Sequence, residues 1–164
     1  MLGADRSQPE QSGDASPVDG PDALRVVIVD DEAPIRKLLR ALLDLDGRFE
    51  VVAEAATIHH ALETVADEQP DVVLLDLLMG REHGAEAIPR LVLDAPRTMV
   101  LVLSALSAED QADRVFAAGA FAYLEKSVMG RQLPDEVAAL RARFEQALAG
   151  ETVWAVRDPA RILS

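Results

Sequence analysis

The chain has 164 residues, 49% of them hydrophobic, no cysteine and a net charge of −13. That length allows one domain with a real core, and the missing cysteines exclude a disulfide framework or a thiolate metal site. The acidic balance argues against direct contact with nucleic acid, though it otherwise means only solubility. No apolar stretch reaches the ~20 residues of a membrane span, and no apolar signal core opens the chain, so a cytoplasmic protein is expected.

Residues 1–22 are rich in Pro, Gly, Ser, Gln and Asp with almost no large apolar side chains. Such a segment cannot bury enough surface to offset its ordering entropy, and it is expected to be a disordered acidic tail. From Leu24 onward apolar runs alternate with helical patterns. The runs are Leu24–Val29, Val51–Ala53, Val72–Leu75, Met99–Leu103 and Phe121–Leu124. Continuous apolar runs of that length fit strands buried on both faces.

Between them, Ile35, Leu38, Leu39, Leu42 and Leu43 predict a first helix with Pro34 in its first turn. Ile58, Leu62 and Val65 mark a second, and Ile88, Leu91 and Val92 a third, with Pro89 in its first turn or bending it. Ala112, Val115 and Phe116 mark a fourth, ended by Gly119 as a left-handed cap. Val137, Leu140, Phe144 and Leu148 mark a fifth. This repeated alternation implies an α/β domain over 23–148, a doubly wound parallel sheet with helices on both faces. Residues 149–164 are expected to be a short tail or linker remnant.

Right-handed crossovers bring the carboxyl ends of all strands to one edge, where ligands sit in such folds. Asp30, Asp31, Asp76, Ser104 and Lys126 all fall there. Like charges repel at close range and each resists burial. A hard divalent cation such as Mg2+ offsets a carboxylate cluster, and sites of that kind usually handle phosphoryl groups. Each residue alone has a bland reading. An acid pair after a strand can be a helix N-cap, Ser104 a strand-end cap, Tyr123 a half-buried aromatic on an edge strand. His59 and His60 fit an exposed helix surface, and His83 an exposed loop.

The motifs Val-Asp-Asp-Glu at 29–32, Leu-Asp-Leu-Leu-Met at 75–79 with Gly84 beyond, Leu-Ser-Ala at 103–105 and Ala-Gly-Ala-Phe-Ala-Tyr-Leu-Glu-Lys at 118–126 stand in order, each at a strand end. In this they resemble the receiver domain of bacterial two-component response regulators, over about Leu24 to Leu148. The resemblance implies a flavodoxin-like five-stranded sheet of order 2-1-3-4-5. It implies that Asp76 accepts a phosphoryl group from a phosphohistidine on a sensor histidine kinase or phosphotransfer protein. It also implies that Asp30, Asp31, Asp76 and the Leu78 carbonyl hold Mg2+, and that Lys126, free beforehand, and Ser104 bind the phosphoryl oxygens. Tyr123 would change rotamer as Ser104 moves, biasing a surface near the fourth helix and fifth strand toward an output protein or a homodimer.

The chain departs from the family's pattern at three places. Gly80 replaces a usual Pro, permitting a more mobile loop after the acceptor. Ser127 replaces a Pro that often follows the Lys through a cis bond; before a non-proline residue that geometry costs about 3 kcal/mol, leaving the Lys126–Ser127 bond trans, or cis and strained. Residues 128–132 lengthen the connection before Pro134. No reacting group is lost.

A stand-alone receiver that catalyses its own phosphoryl transfer is the leading expectation. The receiver portion of a truncated DNA-binding transcription regulator is the runner-up. A Mg-dependent phosphatase using an aspartyl phosphate is disfavoured, because Glu32 stands where that family needs a second Asp. A P-loop nucleotide site is excluded by the missing glycine-rich Lys-Ser/Thr loop.

Overall fold

The computed structural model describes residues 23–150 together with 162 and 163. Along the chain run β1 (Leu24–Val29), α1 (Ala33–Asp44), β2 (Phe49–Ala55), α2 (Ile58–Glu68), β3 (Val72–Leu75), α3 (Ile88–Asp94), β4 (Met99–Ser104), α4 (Ala108–Ala118), β5 (Ala122–Glu125), α5 (Leu133–Leu148) and a short β6 (Ile162–Leu163). The main sheet is parallel throughout, in the order β2-β1-β3-β4-β5-β6. Its first five strands stand in the expected order. The sixth was not expected: it lies in the segment read as a tail, and pairs Ile162 with Tyr123 and Leu163 with Leu124. Residues 1–22 and Trp154 lie outside the described residues.

Strand alternation divides the core in two. Val27, Val29, Val73, Leu75, Val100, Val102 and Tyr123 face α2, α3 and α4, meeting Ala61, Val65, Ile88, Leu91 and Val115. Val26, Ile28, Val72, Leu74, Met99, Leu101 and Leu124 face α1 and α5, meeting Leu39, Leu43, Leu133, Val137 and Leu140. Every residue of β3 is buried, so the central strand carries no polar position until it ends. β2 runs longer than its apolar core, because an edge strand leaves Glu50 exposed and Glu54 part-exposed, and these interrupt the run.

The helix ends follow local chemistry. Pro34 and Pro89 lie in first turns, where a missing N–H costs nothing. Thr57 caps α2 by accepting from the His60 N–H, and Gly119 ends α4 at φ 113°. Among the described residues no helix is long and apolar enough to cross a membrane.

Candidate functional site

Asp30 and Asp76 are the first residues past β1 and β3, and the sheet ladder fixes both: the Asp30 N–H donates to the Ala55 carbonyl at 3.1 Å and the Asp76 N–H to Val29 at 2.9 Å. Their side chains are only 2% and 3% exposed. Two buried carboxylates need a positive charge between them, and Lys126 supplies it. Its Nζ lies 2.7 Å from Asp30 Oδ2, 3.3 Å from Asp76 Oδ2 and 3.9 Å from Glu32 Oε1. The expectation of a free lysine is therefore corrected. In the protein alone, Lys126 is the counter-ion of the acid cluster.

The balance of forces at Asp76 remains unfavourable to its charge. Burial pushes its carboxyl above the usual aspartate range and Asp30 adds to that, while Lys126 and the Leu78 N–H oppose it. Lys126 answers in kind. Burial would lower it, but its hydrogen bond to Asp30 and the charges of Asp76 and Asp30 hold the ammonium above its ordinary value. Asp76 Oδ1 is buried without a hydrogen-bond partner. A buried orphan oxygen beside further carboxylates is the place where an oxygen-seeking cation or a phosphoryl group would be accommodated.

Asp31 and Glu32 are exposed, and one carboxylate oxygen from each of Asp30, Asp31 and Glu32 lies within 4.8 Å of the others. Glu32 was not foreseen in this group. Its position directly after the acid pair, at the entry to α1, was the available signal. The Asp30 Oδ1 accepts from the Glu32 N–H at 2.9 Å, which turns the chain so that Asp31 points outward.

The segment after Asp76 carries secondary structure of its own. Residues Leu78–Met79 and Glu82–His83 form a small antiparallel hairpin. Gly80 sits in its turn at φ 64°, a conformation closed to proline. Leu78 is 45% exposed, at the mouth of the site. His83 is not an exposed loop residue: it is half-buried, and its Nδ1 accepts from the Ala85 N–H at 3.3 Å. Gly84 presses on the acceptor's backbone. Any Cβ there would overlap the Asp76 carbonyl oxygen and stand 3.1 Å from Leu77 Cα.

Ser104 and Tyr123 are fully buried. Ser104 Oγ accepts from the Leu106 N–H at 3.3 Å, so it also serves as the ordinary strand-end cap. The Tyr123 hydroxyl donates to the Leu106 carbonyl at 2.8 Å, and burial pushes its phenol up. Tyr123 is thus no half-buried edge aromatic, because α4 covers it and β6 lies beyond β5. The Lys126–Ser127 bond is trans. His59 is exposed and pairs with Glu63 at 3.5 Å, away from the acid cluster.

A sequence profile for the response regulator receiver domain matches residues 26–138. This chain belongs to that family. The receiver is 36% identical over 110 residues to an uncharacterized transcriptional regulatory protein, YhcZ, of Bacillus subtilis, covering 67% of this chain and 51% of that protein. It is 35% identical over 121 residues to a protein-glutamate methylesterase/protein-glutamine glutaminase of Rhodospirillum centenum, covering 73% of this chain and 31% of that one. The receiver therefore spans at most about half the length of these two relatives. Among solved structures, the signal receiver domain of the putative response regulator NarL from Mycobacterium tuberculosis superposes with a TM-score of 0.65 at 31% identity, covering 74% of this chain and 98% of that one. The matched region, 26–138, runs from within β1 to the first turns of α5 and holds every candidate site residue.

Proposed function

We propose that residues 23–148 form a phosphorylation-driven switch whose acceptor is Asp76. A carboxylate oxygen of Asp76 attacks the phosphorus of a phosphohistidine on a sensor kinase or phosphotransfer protein. The P–N bond breaks, its electron pair returns to the imidazole nitrogen, and an aspartyl phosphate forms. Asp30, Asp31, Asp76 and the Leu78 carbonyl would hold Mg2+, with Glu32 close enough to contribute. The cation would neutralise charge on the transferring group and on the acceptor. Lys126 keeps a phosphoryl oxygen as a point-charge partner, and Ser104 donates its hydroxyl to another. Tyr123, bonded to the loop that follows Ser104, transmits the loop's position to the surface of α4 and β5.

The observation supporting this reading is Asp76 itself: a carboxylate at the end of the central strand, buried, with one oxygen unpartnered and an ammonium beside the other. The test is mass spectrometry after incubation with acetyl phosphate and Mg2+. Wild type should gain one phosphoryl group and Asp76→Asn none, and a chelator should prevent labelling of wild type. Undiminished labelling of Asp76→Asn would overturn the assignment.

The output is read as binding to a protein partner in the cytoplasm. Transcriptional control, the role that one relative's name carries, is a second reading, favoured by the length of that relative beyond the shared region. It would act through chain other than the acidic domain described here.

A further inference from the structure

Tyr123 and Glu125 are two apart on β5, so their side chains leave the strand on the same face, toward α4. Tyr123 takes hold of the loop after Ser104 at its middle, through the Leu106 carbonyl at 2.8 Å. Glu125 takes hold of the same loop at its end: its Oε1 accepts from the Ala108 N–H at 2.8 Å. Ala108 is the first residue of α4 and has no intrahelical acceptor for that N–H. The helix already has a local cap, since Ser107 Oγ accepts from the Glu109 N–H at 3.2 Å. A second, long-range carboxylate bond across to β5 is not required to start the helix. It fixes where the helix starts.

We propose that Glu125 is a positioning residue. It pins the β4–α4 loop in its resting place and thereby sets the position of Tyr123 and of the Ser104 hydroxyl. This inference rests on the reading of Ser104 as the hydroxyl that follows the phosphoryl group. For Ser104 to be drawn toward Asp76, residues 105–107 must move while anchored at Ala108, so the Glu125 bond opposes that movement. Removing it lowers the free-energy difference between the two loop positions, and the less populated one gains weight.

The chain has one tyrosine, so 3-fluorotyrosine labels Tyr123 alone. Fluorine spectra of the unphosphorylated protein would compare wild type with Glu125→Ala, Glu125→Gln and Ser107→Ala. The expected result is a single environment in wild type. In Glu125→Ala a second environment should appear, or the line should broaden by exchange, with a minor state of roughly 10%. Glu125→Gln retains an acceptor oxygen and should restore the wild-type spectrum. Ser107→Ala weakens the helix start without touching β5 and should leave the fluorine signal in place. The proposal is overturned if Glu125→Ala matches wild type, or if Ser107→Ala moves the signal equally. Hydrogen exchange on wild type gives an independent reading: the Ala108 amide should be protected, and free exchange there overturns the proposal without any variant. None of these measurements requires phosphorylation, so failure of Asp76 to label would count against the acceptor assignment and not against this one.

Discussion

Asp76 carries its negative charge where burial favours the neutral form. The sign of the consequence follows from proton linkage. The folded protein binds the Asp76 proton more tightly than the unfolded chain does. The associated stability is fully present below the ordinary aspartate range and is lost as pH rises through the raised folded value. In metal-free buffer near neutral pH, Asp76→Asn should therefore melt higher than wild type, by roughly 3 °C for each kcal/mol relieved in a chain of this size. Melts at descending pH should show that advantage shrinking, and a variant no more stable than wild type at neutral pH would refute the account. A second residue prediction concerns Leu78, exposed at the mouth, and the half-buried Leu106. Neither can orient an attacking water, so an aspartyl phosphate on Asp76 should be long-lived. Decay after removal of the donor should be faster in Leu78→Asn, and equal rates would show that these leucines do not control lifetime. The meeting of Asp30, Asp76 and Lys126 was legible in the sequence, because the two acids directly follow apolar runs and the lysine stands two residues beyond one. The role of Lys126 as counter-ion was not, because it depends on the reach of one side chain.

The hairpin and short helical turn that join β3 to α3 show how an element positions the acceptor. Gly84 closes this segment onto the strand end, its N–H donating to the Leu77 carbonyl at 2.8 Å. Gly84→Ala would drive a methyl group into backbone that cannot yield, so a loss of about 1–3 kcal/mol is expected, together with weaker labelling of Asp76. Gly130, where an added Cβ meets nothing within 4 Å, provides the matched control and should be nearly neutral as alanine. Denaturant midpoints of the two variants decide this, and equal midpoints would remove the packing argument. Periodicity located the helices well, since Pro34, Pro89 and Gly119 mark their ends by backbone chemistry alone. It gave no sign of the hairpin, whose strands are two residues each and too short for any pattern. It also missed the polar ends of β2, where an edge strand alternates and the apolar run breaks.

Across the molecule, the edge opposite the site is tied by Arg141. Its Nη1 donates to the carbonyls of Asp71 at 2.8 Å and Arg97 at 2.9 Å, and its Nε to Glu145 at 3.1 Å. This holds α5 against the residues that precede β3 and β4, with the guanidinium 5.2 Å from the centre of the Phe144 ring. Arg141→Met should cost about 1 kcal/mol, since it strips a donor from two partly buried carbonyls, of which that of Asp71 keeps the Met99 N–H. Asp76 should still label in the folded variant, because the change lies at the far end of the strands; loss of labelling without loss of fold would contradict that separation. The layering, and the gathering of acids at the carboxyl edge, were written into the residue pattern. Apolar runs declare buried parallel strands, right-handed crossovers leave one order of faces, and acids at the ends of such runs must share an edge. Which atoms meet there was not written in that pattern, and emerges from the folded chain alone. Lys126 and Asp76 are 50 residues apart in sequence, and Tyr123 and Leu106 are 17 apart, as are Glu125 and Ala108. Such contacts depend on strand register and side-chain reach, which no local pattern records. The pairing of Ile162–Leu163 with β5 is of the same kind, because two residues carry no strand signal until an edge offers them backbone partners.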